Sequence, residues 1–576
     1  MARLRTWAEW DALTGDEALS DVERELARCC KAGERCTLGD GKRPDGPSAE
    51  RSIRAGFLRY LILGGCEDWR TDEWGVPLVG AYVEGVLDLS LRKARGQTGL
   101  FNCRFAKPLH ALQTAFEFLN LSGSAFPGMK AQGANVTGGV FLRQSEAEGE
   151  VRLAGAKIGG QLICDGAKLC NADGIALNAQ GAEVTDGIFL RNAETEGEVT
   201  LSGAKIGGQL DCNGATLSNA GGHALNAQGA EVARDVSLRH ARTIGEVSLS
   251  GAKISGQLSC SGAKLRNPEG KALNAQRLHV TEGLFWRNVR VEVGSIDLVS
   301  AHTGDLADDP ESWPASGRLH LDGFTFDRIS GAFIDVPRRL AWLEKGTRWQ
   351  GAFFPQPYTQ LAKVYREMGH ERSARRVLME RENLVRREGR KDARKRPAAG
   401  FGPRIGWVFR LLFHPLLWLW DRALRFFAGY GYAPGRSVFA LLALFVIAVV
   451  AAHFTWEKGG FAPNSAPILV SDDWKDYVAA DCAARTGDAL CASNPAAAWS
   501  AMGAPGADWD SFNRYGYAAD LVVPILDLGQ TAAWAPSKDR GAWGHALWWG
   551  RWAFASLGWF FAALGAAAVT GIIRRD

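Results

Sequence analysis

An internal repeat of 48 residues constrains the fold of this chain more than any other feature of its sequence. The phrase GAKIGGQL begins at residues 155 and 203, and it returns as GAKISGQL at residue 251. A second phrase keeps the same step, since AQGANV begins at 131, AQGAEV at 179 and 227, and AQRLHV at 275. A fixed period of this length predicts a solenoid, in which stacked units bury a continuous core between neighbours.

Each 48-residue unit divides into two unequal coils. GAEV begins at residue 181, which is 26 residues after GAKI at 155, and the next GAKI follows 22 residues later. Coils of about 24 residues fit a parallel β-helix better than a helical repeat. Apolar residues alternate over three or four positions between glycines, which predicts short strands joined by tight turns. The high glycine content argues against helices here. We therefore predict a mainly β solenoid, a right-handed parallel β-helix with pentapeptide-like repeats.

Stacked coils predict columns of identical residues along the solenoid axis. We expect these columns to point inward, as small or branched apolar side chains that fill the core. The cysteine column has a spacing of about 10 Å, two coils of 4.8 Å each, which is too long for a disulfide or a shared metal ion. The predicted core residues are Ile158, Ile206, Ile254, Leu162, Leu210, Leu258, Cys164, Cys212 and Cys260.

Weaker copies of the coil pattern extend the predicted solenoid to residues 76–335. Residues 1–75 contain helical stretches and are predicted to cap its front end. Residues 336–398 are predicted to form a helical hairpin followed by a basic juxtamembrane linker. The hairpin breaks at Met368-Gly369-His370, and its pattern resembles a tetratricopeptide unit. We favour a cap on the rear of the solenoid over a peptide-binding groove, because a single hairpin cannot form a groove.

Two apolar segments near the C-terminus predict a two-helix transmembrane region. Residues 436–456 and 546–573 are each long and apolar enough to span a bilayer. The segment 399–430 mixes charged and aromatic residues, which favours an interfacial helix over a third span. Basic residues flank the spans and are predicted to face lipid on the cytoplasmic side. They are Arg386, Arg387, Arg390, Lys391, Arg394, Lys395, Arg396, Arg574 and Arg575.

With two spans, residues 457–545 form an extracytoplasmic loop. Cys482 and Cys491 are its only cysteines, and a local disulfide between them is predicted. The stretch 517–534 contains an apolar core too short to span a bilayer. It is predicted either to re-enter the membrane between the two helices or to rest on the outer leaflet as a folded loop.

Charge and cysteine spacing argue against two further functions, nucleic-acid binding and metal binding. The net charge of +4 and the lack of any recognisable motif do not favour nucleic-acid binding. Cys29, Cys30, Cys36 and Cys66 lack the paired spacing of metal sites, so no metal site is predicted.

The chain resembles bacterial membrane-associated proteins with pentapeptide-like repeats, a family often labelled membrane-associated oxidoreductase. The resemblance covers most of the chain and rests on GEVRLAGAKIGGQL, PQPYTQLAKVYREMGHERSARRVL, VVPILDLGQ and LGWFFAALGAAAVTGIIRR. It implies redox activity. The sequence contains no dinucleotide-binding glycine motif, no CxxC pair and no nucleophile elbow. No catalytic residue and no cofactor are therefore predicted, and cofactor-binding residues stay unknown.

Three hypotheses of function follow. The first is a scaffold in the inner (plasma) membrane, multi-pass, with the solenoid and the C-terminus cytoplasmic, binding lipid and an unknown protein partner. The second is an oxidoreductase whose unidentified cofactor lies between the N-terminal segment and the first coils. The third is a homo-oligomeric channel or a transmembrane sensor. We favour the first, so the chain is more a binding protein than an enzyme.

Overall fold

The structure is a computed structural model that describes residues 6–331, 334–349, 351–394, 415, 418–502 and 505–570. The side chains of residues 392–394 lie outside the described part. The chain forms two compact units, Met1–Val377 and Leu378–Asp576. The first unit contains the repeats, and the second contains both long apolar helices.

The first unit is a parallel β-solenoid of about 12 turns, as predicted for a chain of stacked coils. Its first sheet has 20 strands, namely Cys36–Thr37, Gly75–Val79, Gln97–Phe101, Ala115–Phe116, Phe118–Asn120, Asn135–Val136, Val140–Phe141, Lys157–Ile158, Leu162–Ile163, Glu183–Val184, Ile188–Phe189, Lys205–Ile206, Leu210–Asp211, Glu231–Val232, Val236–Ser237, Lys253–Ile254, Gln257–Ser259, His279–Trp286, His302–Asp308 and Thr325–Ile329. Its second sheet has 15 strands, namely Ser52–Arg54, Tyr82–Glu84, Arg104–Phe105, Leu109–His110, Ala125–Phe126, Met129–Lys130, Glu146–Ala147, Val151–Arg152, Lys168–Asn178, Glu194–Thr200, Thr216–Asn226, Arg242–Ser248, Lys264–Asn274, Arg290–Asp297 and Leu319–His320.

Backbone hydrogen bonds between successive coils fix the register. The Glu183 N–H donates to the Ala156 carbonyl at 2.9 Å, and the Lys205 N–H donates to the Ala182 carbonyl at the same distance. Ile158, Val184 and Ile206 therefore stack in one column, which brings both half-repeats onto the same face. All nine predicted core residues are buried: Ile158, Ile206, Ile254, Leu162, Leu210, Leu258, Cys164, Cys212 and Cys260.

The two coil lengths differ because every second coil carries a surface excursion. Lys157 pairs with Glu183 and Glu183 pairs with Lys205, so successive coils have 26 and 22 residues. The extra residues lie in the long strands of the second sheet, where Cys170 and Ile175 flank an irregularity. Equivalent excursions recur at 48-residue steps, and in each an asparagine side-chain N–H₂ donates to a carbonyl four residues later. These asparagines are Asn171, Asn219 and Asn267.

The turn after each inward leucine requires a left-handed backbone conformation. Gly155, Gly203 and Gly251 hold φ values of +63°, +65° and +66° at equivalent corners. L-residues with a Cβ rarely adopt this conformation, whereas glycine does so without steric cost. The repeated glycine of the GAKI phrase is therefore a consequence of the corner that it forms.

The solenoid begins earlier than the predicted boundary at residue 76. Strands Cys36–Thr37 and Ser52–Arg54 already pair in parallel with the coil that follows them. Strands of two or three residues carry too little alternation to be recognised in a sequence. Around them lie helices α1 (Trp7–Asp11), α2 (Asp21–Ala32) and α3 (Ala55–Ile62).

Helices α4 (Val336–Gly346) and α5 (Gln356–Glu367) cover the C-terminal end of the solenoid. The Gln360 side-chain N–H₂ donates to the Phe326 carbonyl of the last coil at 2.6 Å. A short hairpin of Arg348–Trp349 and Ala352–Phe353 lies between the two helices. As predicted, the chain breaks at Gly369, with φ of +81°, before helix α6 (Glu371–Arg394).

A buried ion pair attaches α4 to the solenoid. The Arg339 guanidinium lies 2.6 Å from an oxygen of Asp308, and both side chains are almost fully buried. The Trp313 indole N–H also donates to Asp308, at 2.7 Å. Such a pair depends on its hydrogen bonds, because each charge has lost its hydration.

In the second unit, α7 (Gly435–Glu457) and α14 (Gly541–Val569) are long and apolar enough to cross a membrane. They agree with the predicted spans 436–456 and 546–573 over the described residues. Of the predicted interfacial helix 399–430, residues 399–414, 416 and 417 lie outside the described part. Residues 418–423 are helical and continue into a π-helical turn, Leu424–Ala428, and a 3₁₀ turn, Gly429–Gly431.

Between these two helices the chain folds around its own aromatic core. The core contains Phe461, Trp474, Trp499, Tyr517 and Trp534, all buried. Strands Phe461–Pro463 and Trp534–Pro536 pair antiparallel and join the ends of the segment. The helices are α8 (Ala466–Val470), α9 (Asp472–Val478), α10 (Cys482–Thr486), α11 (Pro495–Met502), α12 (Arg514–Val522) and α13 (Gln530–Ala533), with 3₁₀ turns at Ala489–Ala492 and Gly506–Asp508.

Replacing Ile206 with Asp should destabilise the solenoid by about 3 kcal/mol or more, because it buries an unpaired carboxylate. Ile206 is 2% exposed and lies in the central column. Thermal unfolding of the purified protein measures the change. The control is Gln180→Asp, which adds the same charge at an exposed position and should leave the transition in place. An unchanged transition in Ile206→Asp would contradict the inward assignment.

Replacing Asp308 with Asn should cost about 3–5 kcal/mol, because it leaves the Arg339 charge buried without its carboxylate. The double variant Asp308→Asn, Arg339→Gln removes both charges and should unfold at a higher temperature than the single variant. Differential scanning calorimetry compares the two. If the double variant loses as much stability as Asp308→Asn and Arg339→Gln lose in sum, the two residues are not coupled.

Candidate functional site

An open groove runs along the first sheet of the solenoid. It has a volume of about 670 Å³ and follows the axis over four coils. Its lining residues are Glu183, Val184, Thr185, Lys205, Ile206, Gly207, Glu231, Val232, Ala233, Lys253 and Ser255. The floor is formed by a column of small exposed residues, and one wall is formed by a column of charged residues.

The charged column alternates in sign from coil to coil. Its members stack in register and are exposed: Lys157, Glu183, Lys205, Glu231 and Lys253. The Lys253 ammonium lies 2.9 Å from Glu231, and its hydrogen bond holds the pKa of that carboxyl below its usual range. Lys157 lies 3.9 Å from Glu183. Lys205 stands between the two acids and, among the described residues, makes no salt bridge.

The alternation follows from the two halves of the repeat. GAKI places a lysine and GAEV places a glutamate at the same register position, directly before the inward Ile or Val. Opposite charges on neighbouring strands attract, whereas like charges would destabilise the stack. The signal was visible in the sequence, but the predicted sites included only the inward residues and missed this outward column.

A second polar ladder lies on the other sheet. The Asn178, Asn226 and Asn274 side-chain N–H₂ groups each donate at 3.0 Å to a glutamate in the preceding coil. The glutamates are Glu150, Glu198 and Glu246. These asparagines are thus held within the stack and serve the structure of the coil.

A small recess lies at the place expected for a redox cofactor. It lies between the N-terminal segment, at Gly33 and Arg35, and the first coils, at Trp74 and Phe101, with a volume of about 270 Å³. Sites for small molecules usually have about 300–1,000 Å³ and enclose most of the ligand. The residues lining this recess include no carboxylate, histidine or thiol, so the recess gives the oxidoreductase hypothesis no support.

Three of the N-terminal cysteines lie close together without forming a metal site. Cys29, Cys30 and Cys36 are buried. Burial raises the pKa of Cys30 to about 12 and raises the pKa of Cys36 further, so both thiols keep their protons at neutral pH. Within the described residues, no group of three or more His, Cys, Asp or Glu side chains is placed to hold a metal ion.

Part of the predicted basic flank is paired within the protein. Arg386 and Arg390 both contact Asp421, which is buried, and Arg386 also pairs with Glu382 at 2.7 Å. These two arginines therefore face a carboxylate, whereas they were expected to face lipid. Arg387 and Lys391 are exposed, with Lys391 2.9 Å from Glu388. The side chains of Arg394, Lys395, Arg396, Arg574 and Arg575 lie outside the described residues.

Sequence reasoning missed Asp421 because its partners lie more than thirty residues away, beyond the reach of any local pattern. The sequence did offer one indication that this residue is buried and paired, since Asp421 is an acidic residue within a strongly aromatic segment. A buried carboxylate needs a cation.

The two cysteines predicted to pair do form a disulfide, Cys482–Cys491. It joins α10 to the following 3₁₀ turn, and both residues belong to the aromatic core of the segment. The nine other cysteines are free.

The helix at the start of the stretch 517–534 packs against both long helices. Helix α12 lies against both α7 and α14. Ala518 and Val522 form a buried cluster with Leu444 and Ala448 of α7 and with Phe561 of α14. The contact requires a glycine in α14, because a Cβ at Gly558 would lie 2.0 Å from the Val522 carbonyl oxygen.

No protein-family model, curated protein or solved structure matches this chain.

Proposed function

We propose that this chain is a membrane-anchored scaffold whose solenoid binds a polypeptide partner along the groove of the first sheet. The observation that carries the proposal is the exposed column of alternating charges beside a floor of small residues. A row of alternating positive and negative charges selects a partner with complementary side chains and fixes the register in which that partner binds. The groove is open along its length, whereas sites for small molecules enclose most of their ligand.

The rigid stack suits this role. Each charged side chain sits on a strand whose neighbours on both sides are hydrogen-bonded, so the column keeps its spacing without a bound partner. A preorganised surface loses less conformational freedom on binding. The repeat pattern further supports kinship with the pentapeptide-like proteins that the sequence resembles.

The anchoring part of the proposal rests on α7 and α14. We place them across the inner (plasma) membrane, with the solenoid and the C-terminus in the cytoplasm. Two observations support this orientation. The exposed Arg387 and Lys391 precede α7, as expected for a cytoplasmic flank. The free thiols all precede α7, and the disulfide lies between the two helices, which fits a reducing and an oxidising side.

Site-specific photo-crosslinking tests the groove. A photoreactive residue in place of Lys205 should give one discrete protein adduct in intact cells. The matched control is Lys168, an exposed lysine of the second sheet that also stands in register with a glutamate, Glu194. Charge reversal by Glu183→Lys with Glu231→Lys should abolish the adduct, because it removes the alternation. Equal adducts from both positions, or an adduct that survives the reversal, would contradict the groove as the binding site.

Thiol labelling tests the orientation. If the segment between α7 and α14 is extracytoplasmic, Cys482 and Cys491 are oxidised in cells. A maleimide-polyethylene glycol gel shift on denatured, unreduced protein should then give the same shift for the wild type and for Cys482→Ser, Cys491→Ser. Reduction before labelling should add two steps to the wild type only. A larger shift of the unreduced wild type would place the segment on the reducing side.

A further inference from the structure

Helix α12 runs antiparallel to α7, from its C-terminal end toward its middle. At the start of α12, an Arg514 guanidinium nitrogen lies 3.2 Å from the Nδ1 atom of His453. At its end, Val522 packs in the cluster that contains Leu444. Leu444 lies nine residues before His453, which corresponds to about 13 Å along a helix. If α7 spans a hydrocarbon core of about 30 Å, the C-terminal end of α12 lies near the middle of that core.

After Val522 the chain turns back from the end of α12 and reaches α13 without forming regular secondary structure. Asp520 anchors the return, since its carboxylate accepts from the N–H groups of Leu528, Gln530 and Thr531 at 2.5, 2.8 and 3.2 Å. Between these anchors, residues 523–529 form neither helix nor strand. The side chains at the tip are exposed: Ile525 at 90%, Leu526 at 47% and Leu528 at 55%.

Several backbone groups of this tip have no hydrogen-bond partner among the described residues. Within the described part of the chain, no hydrogen-bond partner is found for the carbonyls of residues 524–528 or for the N–H of Ile525 and Asp527. Lipid tails offer no hydrogen bonds, and each unsatisfied backbone group there costs several kcal/mol. Non-helical backbone at membrane depth therefore occurs only where protein covers it or where it lines a water-filled path. The described residues of a single copy provide neither on the exposed side of the tip.

We propose that copies of this chain assemble around residues 523–529 and that these residues line a water-filled path for cations. The apolar tip side chains then contact the same side chains of neighbouring copies. The backbone carbonyls face the path, where they can replace the water around a cation. Asp527 is exposed on the same segment and adds one carboxylate per copy. This inference uses the membrane insertion proposed above and is independent of the groove on the solenoid.

Disulfide crosslinking in proteoliposomes tests the assembly. The protein is reconstituted into vesicles of phosphatidylethanolamine and phosphatidylglycerol, and flotation confirms its insertion. Ile525→Cys should form crosslinked dimers on oxidation, because the tips of neighbouring copies meet. The matched control is Val470→Cys, at 67% exposure in α8, which should remain monomeric together with the wild type. Crosslinking of Ile525→Cys no greater than that of the control would overturn the proposal.

Uptake of Rb⁺ by the same vesicles tests the path. Vesicles with the wild type should accumulate Rb⁺ faster than empty vesicles. Asp527→Asn should lower the uptake about tenfold, because it removes a ring of carboxylates from the path. The asparagine oxygen can still accept from the Gly529 N–H, so the tip keeps its shape. Crosslinking of Ile525→Cys in the Asp527→Asn background confirms this.

Asp472→Asn is the control for charge, since Asp472 is exposed and belongs to α9, outside residues 523–529. It should leave Rb⁺ uptake unchanged. Uptake by the wild type no faster than by empty vesicles, in protein that floats with the vesicles, would overturn the path without affecting the anchoring proposal. Protein that fails to float would instead contradict the membrane insertion on which the inference rests.

Discussion

The structure of the first unit depends on one constraint, the hydrogen bonding of each coil to the coil before it. The Glu183 N–H bonds to the Ala156 carbonyl, and the same bond recurs one coil later. This ladder fixes the register, so the place of a residue within its coil decides whether it points inward or outward. Inward positions must be apolar and of nearly constant size, because the core is continuous. Outward positions are free to change, and the alternation of Lys205 and Glu231 arises there.

A ladder of this kind leaves unpaired backbone groups at both ends, which attract other chains unless they are covered. The two ends are covered in different ways. At the front, short strands and α3 continue the coils into the N-terminal helices. At the rear, α4 and α5 lie on the last coil, fixed by Arg339 on Asp308 and by Gln360 on the Phe326 carbonyl. The rear attachment is polar and buried, so it resists being replaced by a coil of another molecule.

The sequence predicted the solenoid, its inward columns and both long helices, because each produces a regular pattern. Repeats reveal stacking, and apolar length reveals a span. It did not predict the strands at Cys36 and Ser52, which are too short to show alternation, or the pairing of Arg386 with Asp421, which joins distant segments. Of the candidate sites, the charged column was present in the repeat phrases, but it points outward and so lay outside the predicted core columns. The sequence left two alternatives for residues 517–534, because the position of α12 depends on contacts with α7 and α14.

The same need to satisfy backbone polar groups applies in both units. In the solenoid the neighbouring coil supplies the partners, and in α7 and α14 the helix supplies its own. In the membrane position proposed above, residues 523–529 would be an exception, because lipid offers no hydrogen bonds. In that position, evolution toward stability alone would shorten the segment, since a loop at the membrane surface would connect α12 to α13 at no comparable cost. The anchoring by Asp520 and the close approach of Val522 to Gly558 hold the segment in its present conformation instead. A costly conformation that several contacts maintain is typical of a functional site.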